Sequence, residues 1–115
     1  MSESEPGAGT RDRILVGVDG SEDGLRAVRY AMREAKASDA DVWIVNVVDD
    51  TMPVGGLWEL VSTVEALRKV GEEYLTEARQ ILEVAGIPPE RVTSEVLIGP
   101  PGPVLAELSE KATLM

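Results

Sequence analysis

Hydrophobic positions along the chain alternate between two kinds of run. Ile14-Leu15-Val16-Gly17-Val18 is apolar almost throughout, which suits a strand covered on both faces, as in a parallel sheet. Asp19-Gly20 breaks that run, and Ser21 is a good helix N-cap. Leu25, Val28, Met32 and Ala35 then recur at helical spacing with Ala31 beside them, which predicts a helix over 22–37. Glu22 and Asp23 fall in its first turn, where the helix dipole favours acid, and Glu22 stands four residues before Arg26, placed to pair with it. Asp39 marks the turn. The second apolar run, Val42-Trp43-Ile44-Val45-Asn46-Val47-Val48, is β-branched and long enough for a central strand over 41–49.

Pro53 and Gly55-Gly56 mark a loop over 51–56. Helical spacing then returns and persists to Ala85. We read 64–85 as helix, with 57–63 either a separate turn or part of a flap. Gly86 suits the position just past a helix, and Pro88-Pro89 forbid its continuation. Val92, Val96, Leu97 and Ile98 predict a third strand over 91–98. Gly99-Pro100-Pro101-Gly102-Pro103 is a stiff connection, with Pro103 suited to the first position of a short helix reaching about Lys111. Ala112-Thr113-Leu114-Met115 turns apolar, as the opening of a further strand would.

The order β-α-β-α-β-α predicts an α/β fold: an open parallel sheet with right-handed crossovers and helices on both faces. Residues 1–12 are rich in Ser, Glu, Gly and Pro and read as a flexible tail, ahead of one domain over 13–115.

Composition removes several classes of function. The net charge of −10 disfavours nucleic acid and anionic membrane surfaces, but leaves a nucleotide held by backbone N–H groups open. There is no Cys and no His, so thiol chemistry, disulfides, a zinc site and imidazole catalysis are out. No apolar run approaches the about 20 residues of a membrane span, and the first residues lack a signal-peptide core. The expected location is the cytoplasm. No metal-binding pattern stands out.

Candidate chemistry sits where strands end. Asp19 lies at the carboxyl end of the first strand, where open α/β sheets place ligands. Asp19 and Ser21 could equally cap the helix, and the residues alone weigh the two roles evenly. Asp49-Asp50 could reach Mg²⁺ or a ribose, but an acid pair past a strand is more often a solvated end. Gly99 to Pro103 lacks the Gly-x-x-x-x-Gly-Lys pattern, and its prolines remove N–H donors, so it reads as a stiff turn that could wall a pocket. Trp43 reads as core. Trp58 packs on its own domain or covers a ligand mouth. Arg26, Arg29, Arg33 and Lys36 read as a solvated face.

The quoted segments resemble the universal stress protein family. Ile14-Leu15-Val16-Gly17-Val18-Asp19-Gly20-Ser21, with Ala27 and Ala31 in the next helix, looks like that family's opening. Asn46-Val47-Val48-Asp49 is similar to the end of its second strand. Val96-Leu97-Ile98-Gly99 is similar to its third strand, and Ser109 to Met115 to the lead-in to its fourth.

The resemblance implies a non-enzymatic stress-response domain with parallel strand order 3-2-1-4-5, an adenine nucleotide alpha hydrolase-like sheet, usually dimeric and in some members binding ATP. It places Asp19 and the Val47 backbone against adenosine, with Gly17 and Val18 as neighbours; Gly99, in the loop that could wall the pocket, is a further candidate. The family's phosphate-binding glycine motif follows its fourth strand and is absent from these residues. The chain is therefore expected to be C-terminally incomplete, to bind ATP weakly or not at all, and to present its first strand as a sheet edge. A homodimer is expected of the complete protein. Two alternatives carry other requirements. A flavodoxin-like signalling receiver needs an acid pair at the first strand's end and a phosphoacceptor Asp at the third. A nucleotide-hydrolysing enzyme needs a Ser-Gly-Gly loop where Gly20-Ser21-Glu22-Asp23 stands. A protein-interaction domain that binds no nucleotide also remains.

Overall fold

A computed structural model describes residues 12–49, 56–110 and 112. The elements are β1 (Arg13–Gly17), α1 (Glu22–Ser38), β2 (Asp41–Val48), α2 (Leu57–Val84), a 3₁₀ turn (Pro89–Arg91), β3 (Val92–Ile98) and α3 (Pro101–Ser109). The sheet runs β1-β2-β3, parallel throughout, with Arg13 opposite Asp41 and Val42 opposite Val92. Of the expected tail over 1–12, loop over 51–56 and apolar run over 112–115, residues 1–11, 51–55 and 113–115 lie outside the described residues, as does the side chain of Trp58.

Strand alternation divides the core into two faces. Ile14 and Val16 of β1, Val18 just past it, and Val42 and Ile44 of β2 meet Val28, Ala31 and Ala35 of α1 and Leu75, Ala78 and Leu82 of α2. Leu15, Trp43 and Val45 face the other way, against Leu97 and Leu108. Each fully buried aliphatic contributes about 1.5–3 kcal/mol. The large aliphatic face under α1 and α2 therefore dominates stability in a chain with no Phe. Trp43 is buried as expected; its Nε1 donates to Glu95 Oε1 at 2.8 Å, and the Arg13 guanidinium lies 4.2 Å from the ring centroid.

Caps set the helix ends. Ser21 Oγ accepts from Gly24 N at 3.0 Å. Arg26 pairs with Asp23 at 3.0 Å rather than with Glu22, on an exposed surface where either pair is weak. Helix α2 is continuous from Leu57, so 57–63 is neither a separate turn nor a flap. It ends with Gly86 at φ 95°, Gly86 N donating to Glu83 O at 3.0 Å and Ile87 N to Leu82 O at 3.0 Å, a Schellman motif that buries Ile87. Pro101, rather than Pro103, is the first residue of α3; both lie in the first turn, where a missing N–H costs little.

One further clamp joins the amino end of β3 to α1. Arg91, only 13% exposed in its side chain, pairs with Asp39 at 2.8 Å, while its Nη2 donates to Ala35 O at 3.2 Å and to Ala40 O.

Helices α1 and α2 share one face, whereas α3 lies on the other and packs over β1 and β2. Among the described residues β1 pairs only with β2, yet Ile14 and Leu15 are just 3% and 1% exposed.

Candidate functional site

The carboxyl ends of β1, β2 and β3 bring together Gly17, Val18, Asp19, Val47 and Gly99. Pairing of β1 with β2 stops at Gly17 opposite Val45, with one more bond from Val18 N to Val45 O at 2.8 Å. In a regular parallel ladder the Val47 N–H would next donate to Val18 O. That bond is absent, and Asn46 Nδ2 donates to Val18 O instead, at 2.8 Å. By strand alternation the N–H and C=O of Val47 point to the β1 side, past the end of its pairing. On the other side Gly99 N donates to Val48 O at 2.9 Å, adding one rung between β2 and the end of β3.

Asp19 supports the helix cap, one of the two roles the sequence left open. Its Oδ1 accepts from Ser21 N at 3.0 Å and from Ser21 Oγ at 2.5 Å, tying the turn to the α1 cap. The residue is exposed. The Ser21 hydroxyl, then the Ser21 N–H, hold its carboxyl below the ordinary 3.8, while burial acts the other way. Asp19 is therefore an ionised acceptor at neutral pH.

Two groups from α2 hold this region, and sequence reasoning did not single out either. A Cβ on Gly20, which sits at φ 83°, would lie 2.4 Å from the Tyr74 ring, so the ring fills the space beside that turn. A Cβ on Gly71 would lie 2.2 Å from Asn46 Oδ1, so the helix backbone approaches the strand there as only glycine allows. A lone Asn in an apolar run and a lone Gly in a helical stripe were the available signals.

The Gly99 segment joins β3 directly to α3, a strand-to-helix connection as expected. Gly99 is at φ 151°, and Pro100, Pro101 and Pro103 remove donors from the α3 amino end. Asp49 is half-buried, while Asp50 lies outside the described residues. Among the described residues no group of three or more Asp, Glu, His or Cys could hold a metal ion, and no helix is long and apolar enough to cross a membrane.

The model of the Universal stress protein family matches residues 10–114. The chain belongs to the universal stress protein family. Universal stress protein MJ0531 of Methanocaldococcus jannaschii is 34% identical over 103 residues, covering 86% of this chain and 58% of the relative. The chain thus spans less than two thirds of that relative's length. Among solved structures, universal stress protein UspA from Lactobacillus plantarum superposes with a TM-score of 0.75 at 19% identity, over 87% of this chain and 69% of that one. That likeness shows the fold, the expected α/β parallel sheet. A universal stress protein in complex with cAMP superposes with a TM-score of 0.57 at 26% identity, over 87% of this chain and 64% of that one. Universal stress proteins are generally not enzymes, and the chain stands with them rather than with the nucleotide-hydrolysing or receiver alternatives.

Proposed function

We propose that this domain binds an adenine nucleotide through its adenosine half, at the carboxyl ends of β1 and β2, and serves as a non-catalytic stress-response module. The observation that carries the reading is the Val47 peptide, whose N–H and C=O point past the end of β1 beside Asp19. Adenine carries hydrogen-bond donors and acceptors side by side on its edge, so the N–H and C=O of one strand residue can bond it twice. The exposed carboxylate of Asp19 would accept from ribose hydroxyls. Gly17 and Val18 form the floor, and Gly99 closes the β3 side. The similar structure in complex with cAMP supports an adenine nucleotide as ligand.

Little on this face rewards a longer phosphate chain. Asp19, Glu22 and Asp23 crowd the amino end of α1 with negative charge, and three prolines withhold donors at α3. Adenosine and cAMP should therefore bind at least as well as ATP, and ATP weakly or not at all. Location in the cytoplasm and homodimer formation by the complete protein belong to the same proposal.

Titration calorimetry tests it. The expected result is heat on adding cAMP or adenosine, with Asp19→Ala weakening either about tenfold, the size of a lost charge-assisted hydrogen bond or two. No binding of any adenine nucleotide would overturn the proposal and leave the nucleotide-free interaction domain.

A further inference from the structure

We infer that Asn46 is a positioning residue, which ends the β1–β2 ladder one step early and so keeps the Val47 peptide available to a ligand. The inference rests on the adenosine reading above for the ligand's identity, but not for the ladder itself. Val18 N–H donates to Val45 O at 2.8 Å, so the next regular rung would run from Val47 N–H to Val18 O. Asn46 Nδ2 takes that acceptor at 2.8 Å. Were Val18 O left to the backbone, Val18 and Val47 would satisfy each other. The Val47 N–H would then be closed to adenine.

The surroundings of Asn46 fit this role better than a packing role. It is 7% exposed, on the strand face where Ile44 and Val48 are aliphatic. An aliphatic side chain at 46 would fill the same space without a buried amide to satisfy. The amide is wedged from behind by α2, because a Cβ on Gly71 would come within 2.2 Å of Oδ1 and 2.8 Å of Cγ. One turn further on, Tyr74 presses on Gly20. The same stretch of α2 therefore fixes both lips of the gap, the Asn46 amide on β2 and the Asp19 turn on β1.

Amide hydrogen exchange by NMR on the 115-residue chain, read beside cAMP affinity, tests the inference. In the unliganded chain the Val45 N–H should be protected, and the Val47 N–H should exchange at least about tenfold faster. In Asn46→Leu the Val47 N–H should become protected, and cAMP affinity should fall about tenfold. Gly71→Ala should displace the amide and produce both changes with Asn46 still present. Asp19→Ala should weaken cAMP while leaving Val47 exchange fast, which separates positioning from ligand contact. Equal protection of Val45 and Val47 in the unsubstituted chain overturns the inference even if no variant folds. So does a folded Asn46→Leu with unchanged affinity. If the unsubstituted chain binds neither cAMP nor adenosine while the exchange pattern holds, the adenosine reading falls and the ladder role of Asn46 stands.

Discussion

Asp19 serves the fold through Oδ1. Oδ1 accepts from the Ser21 hydroxyl and N–H, and those bonds lower its carboxyl below the ordinary 3.8. A carboxyl depressed by folding stabilises above its unfolded value, and that stability is lost as the pH falls through the folded one. The loss therefore belongs below about pH 4, with neutral pH unaffected. Urea unfolding across pH 2.5 to 7 should show Asp19→Asn less stable than the parent at neutral pH, with the gap narrowing toward the acid end. A gap that stays constant over the range would mean that the Ser21 bonds do not distinguish the charged form. Because the group is exposed, the effect should be small, within the range of surface hydrogen bonds. Of the two roles that the sequence could not separate, the structure shows support of the cap, through Oδ1, and ligand contact belongs to the proposal.

The elements themselves were largely legible, because period and punctuation agree. Uninterrupted apolar runs gave β1 and β2, and the stripe from Leu25 to Ala35 gave α1. Gly86 with Pro88-Pro89 marked the end of α2, and the Schellman bonds there explain why. A Cβ on Gly86 meets nothing within 4 Å, so its φ of 95° is the whole reason for glycine. Gly86→Ala should therefore cost about 1–2 kcal/mol in chemical unfolding, with the native contacts unchanged. No loss would mean that the left-handed turn is dispensable.

Other features were not legible, for physical reasons. The continuity of α2 from Leu57 was obscured by Gly55-Gly56 and a mixed stripe. The choice of Pro101 over Pro103 depends on where β3 releases the chain. The pairs Asn46 with Gly71 and Gly20 with Tyr74 join residues far apart in sequence, and a one-dimensional pattern carries no term for such contacts. Of the site, Asp19 was singled out by its place at the end of the first strand, and Val47 through resemblance. Why Val47 should have a peptide to offer emerges only from the ladder register.

At the scale of the whole molecule, topology and charge select what can bind. The sheet carries α1 and α2 on one face and α3 on the other, and open α/β sheets hold ligands outside the carboxyl ends of their strands. A net charge of −10 over 115 residues opposes polyanions and sets a cost on every added phosphate. Together they favour a small adenosine-bearing ligand at the ends of β1 and β2 over a nucleic acid or a triphosphate.

The most direct test follows backbone amide shifts of the 15N-labelled chain during titration with cAMP. The account expects the largest changes at Gly17 to Ser21 and at Asn46 to Val48, with smaller ones at Gly99. Changes centred instead on the outer groove between α1 and α2, where Leu25, Met32 and Ile81 meet, or no changes at all, would contradict it.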